Sequence, residues 1–229
     1  MARLHFPEGR HLFGVSHTLV RTTLSRYSEI PPGEWRFVKN GHGKPAIDPD
    51  FDSSPLRFSL THTRGLAIVA VTQRADVGVD VERANRIVDA ARLSSRFFSP
   101  EEASALQGMP PDRLRERFFL YWTLKESYIK ARGLGLSLPL ASFSFRLAGE
   151  CPFRIDFSGN DRDPGEWRFA VLRPLSQYVA AVGFAPARPG PVRIRCFQTL
   201  PSGKNSPLNF ETMGLSPGVE ITDHAFPEM

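Results

Sequence analysis

The stretch GVDVE, residues 78–82, decides the fold, because it combines an apolar strand with two acids on one face. Side chains alternate between the two faces of a strand, so the valines point one way while Asp80 and Glu82 point the other. Carboxylates roughly 6–7 Å apart repel each other unless a cation lies between them, and Mg²⁺ takes one or two carboxylates together with water and phosphate oxygens. The stretch therefore indicates either a magnesium site or a strand face exposed to water.

A second stretch, YWTLKESYIK at residues 121–130, adds a third acid on a predicted helix. Trp122, Glu126 and Lys130 are spaced four residues apart and fall on one helical stripe. An ordinary surface pair between Glu126 and Lys130 would stabilise the helix by only a few tenths of a kcal/mol. That alternative is the weaker one, because the stripe carries the aromatic rings of Phe118 and Trp122 into the core before it reaches the acid.

Between these stretches, the sequence SPEE at residues 99–102 is typical of a helix start. Ser99 is predicted as the N-cap, Pro100 as the first helical residue, and Glu102 as the acid that completes a capping box. The capping box by itself explains Glu102 as a structural residue.

The remaining elements indicate an α+β architecture, because a long helix accompanied by strands occurs twice. The helices are predicted over Leu12–Tyr27 and Asp112–Arg132, the second ending at Gly133. The strands are predicted over Arg57–His62, Leu66–Gln73, Val77–Glu82, Ser142–Arg146, Phe153–Phe157, Trp167–Leu172 and Tyr178–Phe184. We expect two similar α/β lobes, residues 1–76 and 77–185, each a small antiparallel sheet packed with a long helix. The tail, residues 186–229, is rich in Pro, Gly, Ser and Asn and is predicted to be disordered.

The composition favours a soluble protein with a packed core: 229 residues, 41% hydrophobic and 23% charged. Its net charge of +5 indicates an acidic partner, which includes nucleic acid, anionic lipid, nucleotide-like small molecules and acidic proteins. No stretch approaches the roughly 20 apolar residues that span a bilayer, and no apolar signal segment follows Met1. Two cysteines are too few for a disulfide framework. We therefore expect a cytoplasmic protein that does not associate with membranes.

Taken together, GVDVE, RFFSPEE and YWTLKESYIKARGLGLSLPL resemble the phosphopantetheinyl transferase superfamily. The resemblance covers about residues 3–184 and is to the larger, monomeric, two-lobed type, similar to the surfactin synthetase-activating enzyme, rather than to the small trimeric acyl carrier protein synthases. Both hallmark motifs of that family, the acidic strand and a W-x-x-K-E-x-x-x-K helix, occur in order without substitution. The resemblance implies the 4'-phosphopantetheinyl transferase fold, with its lobes in a pseudo-two-fold arrangement.

The implied activity is transfer of the phosphopantetheine arm of coenzyme A to a serine of an apo carrier protein, with release of adenosine 3′,5′-bisphosphate. By resemblance, Asp80, Glu82 and Glu126 would hold Mg²⁺, the cofactor, which also binds the pyrophosphate of coenzyme A. Lys130 would neutralise the phosphate under attack or help to protonate the leaving group. Glu102 matches the family's proposed general base for the carrier serine, so it has both a catalytic and a helix-cap interpretation.

The resemblance also implies contacts with coenzyme A for residues that would otherwise be interpreted as structural or solvent-exposed. These residues are Lys44, Thr61 and His62, with Arg10 and Arg21 as weaker candidates in the basic N-terminal part. Carrier proteins of this family are typically acidic around the serine, so the basic net charge fits such a partner through electrostatic steering. Larger members carry a further N-terminal strand and basic residues that grip the 3′-phosphate. Either the reading frame starts further upstream, which we favour, or the protein is a shortened version.

Two other functions compete with this interpretation. A metal-dependent phosphatase or nuclease would need a second cluster of Asp or His residues, and the sequence offers none. A degenerate, non-catalytic carrier-binding relative would be expected to have lost acids of the triad, yet Asp80, Glu82 and Glu126 are all present. Binding to nucleic acid would rest on the isoelectric point of about 9.6 alone, without any recognition motif, and we do not expect it.

Overall fold

The computed structural model describes residues 7–52, 54–147, 154–157, 165–199, 205–208 and 210–222. The fold is mixed α+β, as predicted. The helices of the described part are α1 (Pro7–Leu24), α2 (Ala90–Phe97), α3 (Pro100–Leu106) and α4 (Pro111–Arg132). The strands are β1 (Phe37–Lys39), β2 (Pro45–Ile47), β3 (Leu56–Thr63), β4 (Leu66–Gln73), β5 (Asp76–Arg83), β6 (Phe143–Arg146), β7 (Arg154–Phe157), β8 (Arg168–Arg173), β9 (Tyr178–Ala185), β10 (Val192–Arg195), β11 (Phe197–Thr199), β12 (Asn205–Pro207), β13 (Glu211–Leu215) and β14 (Val219–Thr222).

The N-terminal part of the fold is helix α1 packed against the antiparallel hairpin of β3 and β4. Its core is formed by Val20, Leu24, Trp35, Leu56 and Phe58, all at most 6% exposed. The predicted hairpin is confirmed. The helix begins and ends earlier than predicted. It ends at Leu24 rather than at the later prolines, because the hydroxyl of the next residue, Ser25, donates to the Arg21 carbonyl and accepts from the Trp35 indole.

The C-terminal part is built on a sheet with the strand order β13-β8-β9-β5. All of its pairings are antiparallel, and β5 pairs with β9 over its whole length, from Asp76 opposite Ala185 to Arg83 opposite Tyr178. Helix α4 lies against β5 and β9 and is buried on most of its surface. Its last turn ends at Gly133, whose left-handed backbone (φ 66°) is the predicted C-cap.

Gly78 allows α4 to approach β5 closely. A Cβ atom added at Gly78 would lie 2.0 Å from the carbonyl oxygen of Ser127 and 2.3 Å from the amide nitrogen of Ala131, both of which are backbone atoms of the helix. Since Gly78, Asp80 and Glu82 alternate with the valines, this approach brings the acidic face of β5 against the helix that carries Glu126 and Lys130.

We expect Gly78→Ala to lower the free energy of unfolding by about 1–3 kcal/mol, because the helix backbone has to move away from the strand. Chemical denaturation of the purified variant measures this change. Gly14→Ala is the matched control: it lies in α1, nothing stands within 4 Å of its added Cβ, and alanine there should stabilise the helix slightly. Equal stabilities for the two alanine variants would contradict the close approach.

The prediction that the tail is disordered is wrong for its described residues. Strand β13 pairs with β8 and extends the central sheet, while β10 pairs in parallel with β14. Ser216 exchanges two hydrogen bonds with Phe169: its hydroxyl accepts from the Phe169 amide, and its amide donates to the Phe169 carbonyl. The composition of the tail concealed these strands, because they are short and each depends on a partner that is distant in sequence.

No helix in the described ranges is long and apolar enough to cross a membrane.

The two predicted lobes meet where β3 runs beside β5. The side chain of Ser59 takes part in this contact: its hydroxyl accepts a hydrogen bond from the Val79 amide at 3.1 Å. The division at residues 76 and 77 coincides with the start of β5 and stays a prediction.

Candidate functional site

A cavity of about 280 Å³ lies between the two parts of the fold, next to the C-terminal half of α4. Its walls are the turn between β1 and β2 (residues 42–45), the middle of β3 (residues 58–60), residues 126, 129 and 130 of α4, and Gly133 and Gly135 after that helix. Glu126 and Lys130 line it from the helix, and both are only partly exposed. Of the predicted helical stripe, Glu126 and Lys130 therefore face the cavity, whereas Phe118 and Trp122 pack in the core.

Asp80 is not on an exposed strand face: only 6% of its surface is accessible. The alternative of a simple water-facing strand is thus wrong for this residue. Glu82 lies on the same face of β5, with 17% of its side chain exposed and its carboxylate 3.5 Å from the Arg86 guanidinium. Glu126 approaches from the helix.

The three carboxyl groups interact electrostatically. Burial raises the pKa of Glu126 above its ordinary value, and the negative charge of Asp80 raises it further. The pKa of Glu82 is likewise raised, first by burial and then by the charge of Asp80. Because each ionised acid disfavours the ionisation of its neighbours, the arrangement is suited to a cation.

Lys130 supplies a positive charge within this group. Its ammonium donates to the Asp80 carboxylate (Nζ to Oδ1, 2.6 Å) and to the Thr61 hydroxyl (Nζ to Oγ1, 3.1 Å). Thr61 is 5% exposed and in turn donates to the same Asp80 oxygen at 3.3 Å. The structure therefore brings together the predicted residues Asp80, Thr61 and Lys130. Thr61 forms a hydrogen bond with each of the other two, which are also in direct contact.

The residues fit a magnesium ion in part. The second oxygen of Asp80, Oδ2, is buried and has no hydrogen-bond partner. Within the described residues, however, no group of three or more His, Cys, Asp or Glu side chains is already arranged to hold a metal. Mg²⁺ keeps several waters and is usually bound by one or two carboxylates together with substrate phosphates, so the fit rests on the carboxylate chemistry of the acids alone.

Glu102 lies in a different environment from these acids. It is 1% exposed, and the predicted capping box with Ser99 is confirmed. Its Oε2 accepts from the Ser99 amide at 3.1 Å and contacts the Lys125 ammonium at 2.7 Å, while its Oε1 accepts from the Phe145 amide at 2.8 Å. Both carboxylate oxygens are thus occupied by structural contacts, and Glu102 does not line the cavity. We therefore propose a structural role for Glu102 in place of the general-base role.

Lys125, the neighbour of Glu126 in the sequence, is the partner of Glu102. It is fully buried, and its ammonium also donates to the carbonyl oxygens of Leu140 (2.7 Å) and Phe143 (2.6 Å). The signal was present in the sequence: Lys125 follows Phe118 and Tyr121 at helical spacing, and both of those side chains are buried.

Lys44 lines the cavity, but its ammonium is bound to the protein backbone. It donates to the carbonyl oxygens of Ala131 (2.8 Å) and Val77 (3.2 Å), and burial lowers its pKa. Asn40 in the same turn donates to the Gly133 carbonyl at 2.8 Å. This turn therefore caps the C-terminal end of α4, and the coenzyme contact of Lys44 stays a prediction.

The other candidate residues are not gathered at the cavity. His62 is exposed at the end of β3 and lies outside the cavity lining. Arg21 donates to the carbonyl oxygens of Pro32 and Trp35, which is the structural alternative that the sequence left open. Arg10 falls within α1, but its side chain lies outside the described part of the structure.

The raised carboxyl pKa values give a prediction about stability. An acid whose pKa is higher in the folded state makes the protein less stable as the pH rises from the unfolded pKa to the folded one. We therefore expect Glu126→Gln to raise the melting temperature of the metal-free protein at neutral pH and to flatten its decrease with pH. Thermal melts across the acidic to neutral range measure both effects.

Glu101→Gln is the control of opposite sign. A backbone hydrogen bond lowers the pKa of Glu101, and the Ser99 side chain lowers it further. Its replacement should reduce stability at neutral pH. A Glu126→Gln protein that melts below the wild type at neutral pH would contradict the electrostatic interpretation of the site.

Comparisons with known proteins give the family of this chain. The profile of the 4'-phosphopantetheinyl transferase superfamily matches residues 76–183, which contain β5, α4 and β8. The 4'-phosphopantetheinyl transferase HetI of Nostoc sp. is 33% identical over 183 residues, covering 80% of this chain and 74% of the relative. The 4'-phosphopantetheinyl transferase Sfp of Bacillus subtilis is 34% identical over 145 residues, covering 63% of this chain and 62% of the relative.

Among solved structures, the holo-[acyl-carrier-protein] synthase of Thermotoga maritima matches with a TM-score of 0.39 and 22% identity, covering 50% of this chain and 65% of that one. The family assignment rests on the relatives found by sequence, above all HetI. The chain belongs to the 4'-phosphopantetheinyl transferase superfamily, whose members transfer the phosphopantetheine group and use coenzyme A and a carrier protein as substrates. The predicted family and transferase class are thereby confirmed, and no finding supports the degenerate alternative.

Proposed function

We propose that this chain is a magnesium-dependent transferase that moves the phosphopantetheine arm of coenzyme A to a serine of an apo carrier protein. The serine hydroxyl attacks the β-phosphate that bears the pantetheine arm, the bond to the leaving phosphate breaks, adenosine 3′,5′-bisphosphate departs, and the serine proton is released to water. The observation that carries the proposal is the juxtaposition of the buried Asp80 with Lys130 and Glu126 at the cavity between the two parts of the fold.

The acids are proposed to hold the metal. Asp80 and Glu82 would approach it from β5, and Glu126 from α4. A bound Mg²⁺ supplies charge neutralisation for the pyrophosphate oxygens. The unpartnered Oδ2 of Asp80 and the raised pKa values of the two glutamates support this assignment, since a cation would relieve both.

Lys130 is proposed as the fixed cation at the phosphate under attack. Phosphoryl-type transfer depends mainly on positioning and charge stabilisation, so an ammonium oriented by its neighbours is effective there. Thr61 orients it, because its hydroxyl accepts from Nζ at 3.1 Å. Lys44 fixes the turn that forms the opposite wall of the cavity.

The partner is proposed to be an acidic carrier protein. The net charge of +5 favours encounter with an acidic surface through electrostatic steering. We also propose that the protein acts as a monomer in the cytoplasm, in line with the two-lobed type that its motifs resemble.

Intact-mass spectrometry of an apo acyl carrier protein tests the function directly. Incubation with this chain, coenzyme A and Mg²⁺ should add the mass of one phosphopantetheine arm, and EDTA should abolish the gain. A carrier in which the acceptor serine is replaced by alanine is the control and should gain nothing. If several apo carriers bind the chain but none gains mass, the chain is the non-catalytic relative and the proposal is wrong.

A further inference from the structure

We infer that Lys130 is the internal counterion of the metal site, so that it keeps Asp80 closed to a divalent cation until the phosphates of coenzyme A draw its ammonium away. The inference rests on the proposed function and adds an order of events to it. The metal ion would bind tightly only together with the coenzyme, and Lys130 would have two successive partners: Asp80 first and a phosphate afterwards.

The first observation is the strength of the existing pair. The Lys130 ammonium lies 2.6 Å from Asp80 Oδ1, and Asp80 is only 6% exposed. An ion pair to a buried carboxylate is screened far less than a surface pair. A divalent ion that needs this oxygen must therefore compete with the ammonium.

The second observation is the incomplete state of the acid set. No three metal-binding side chains of the described residues form a ready site, although Asp80 keeps one buried oxygen without a partner. The charge of Asp80 is therefore partly neutralised by the lysine at one oxygen, while the other oxygen can still bind a ligand. The Lys130 ammonium thus occupies one of the two Asp80 oxygens that a metal ion would use.

The third observation is that Lys130 can leave. Its side chain is 31% exposed, and it lines the cavity between the two parts of the fold, where we place the phosphates of coenzyme A. A phosphate arriving in that cavity offers the ammonium a second anion within reach. Since coupling between two ligands is reciprocal, coenzyme A should increase the affinity for the metal by the same factor by which the metal increases the affinity for coenzyme A.

The test uses Mn²⁺ as a paramagnetic probe, titrated against the full chain and followed by the loss of the free-ion electron paramagnetic resonance signal. In the absence of coenzyme A, Lys130→Met should bind Mn²⁺ at least about tenfold more tightly than the wild type, the scale of coupling between close, partly desolvated charges. Coenzyme A should strengthen Mn²⁺ binding to the wild type strongly and to Lys130→Met only weakly.

Arg86→Met is the matched control. It removes another cation beside the acids, since the Arg86 guanidinium lies 3.5 Å from the Glu82 carboxylate, but its side chain is 56% exposed. Its effect on Mn²⁺ affinity should be several times smaller. Thr61→Val keeps both charges and loses the hydroxyl that holds Lys130, so it should fall between the wild type and Lys130→Met. This second variant keeps the test decisive if the methionine variant is poorly folded.

The outcomes separate the two proposals. If neither the wild type nor any variant binds Mn²⁺, even with coenzyme A present, the proposed metal site itself is wrong. If the wild type binds Mn²⁺ with coenzyme A, but Lys130→Met and Thr61→Val without coenzyme A bind no more tightly than the wild type, the metal site stands and the counterion role is wrong. Equal effects of Lys130→Met and Arg86→Met would also overturn the inference, because they would reflect net charge alone.

Discussion

Replacing Lys125 by methionine should lower the free energy of unfolding by about 3–5 kcal/mol, the expected cost of leaving a buried charge without its partner. The Glu102 carboxylate is 1% exposed and contacts the Lys125 ammonium at 2.7 Å. Without that ammonium it keeps its two amide donors but has no counterion in the core. Urea denaturation followed by fluorescence gives the free energy of unfolding.

The double variant Glu102→Gln with Lys125→Met is the control, since it removes both charges at once. Its destabilisation should be clearly smaller than the sum of the two single effects, because a buried pair can often be replaced by uncharged groups at little cost. Glu102→Gln alone should cost less than Lys125→Met, since burial already lowers the pKa of Lys125 to about 8 and the lysine can lose its proton. Additive single effects would show that the two side chains are not coupled.

The same variants decide the role of Glu102. If it is a structural residue, Glu102→Gln melts at a lower temperature but retains its transfer rate when assayed well below that temperature. If it is the general base, the rate falls steeply while the melting temperature barely changes. We expect the first result, because both oxygens of Glu102 are engaged away from the cavity.

Replacing Asp80 by asparagine should reduce the transfer rate on the order of a hundredfold or more, the scale on which metal-site and charge-stabilising groups act. Asparagine is almost isosteric with aspartate, but it removes the charge that pairs with Lys130 and that we propose to hold the metal. The fold should remain stable, because Lys130 is 31% exposed and its ammonium can be solvated when the pair is lost. The rate is measured by the mass-spectrometric assay at saturating coenzyme A and Mg²⁺.

Asp76→Asn is the matched control for this variant. Asp76 lies on the same strand, but it pairs with Arg57 at the surface, and half of its side chain is exposed. An exposed pair contributes little to stability, and we expect near-normal transfer. If Asp80→Asn were as active as Asp76→Asn, the acid on β5 would have no part in the reaction.

The sequence predicts most of the fold because its signals are local. The alternation of valines in β5, the capping box at Ser99 and the glycine after Arg132 each specify a strand or a helix end within a few residues, and the structure confirms them. The prediction for the tail was wrong because β13 forms a strand by pairing with β8, which lies far from it in the sequence.

The candidate site is predictable as a set of residue types but not as a set of contacts. Spacing alone puts Asp80 and Glu82 on one face, yet no pattern shows that the Lys130 ammonium donates to both Asp80 and Thr61. The backbone contacts of Lys125 and Lys44 are equally hard to predict, because a lysine is normally solvated and the carbonyl groups that bind these two come from other elements.

The pairing of β5 with β9 also bears on how the enzyme is made. Residue 76 lies opposite residue 185, so the strand that carries Asp80 and Glu82 leaves the ribosome long before its partner has been translated. Domains fold as their segments emerge, and contacts between distant parts of a chain form slowly. The acids of the candidate site are therefore held in place only after β9 has been translated, and a nascent chain that stalls before β9 carries the motif without its strand partner.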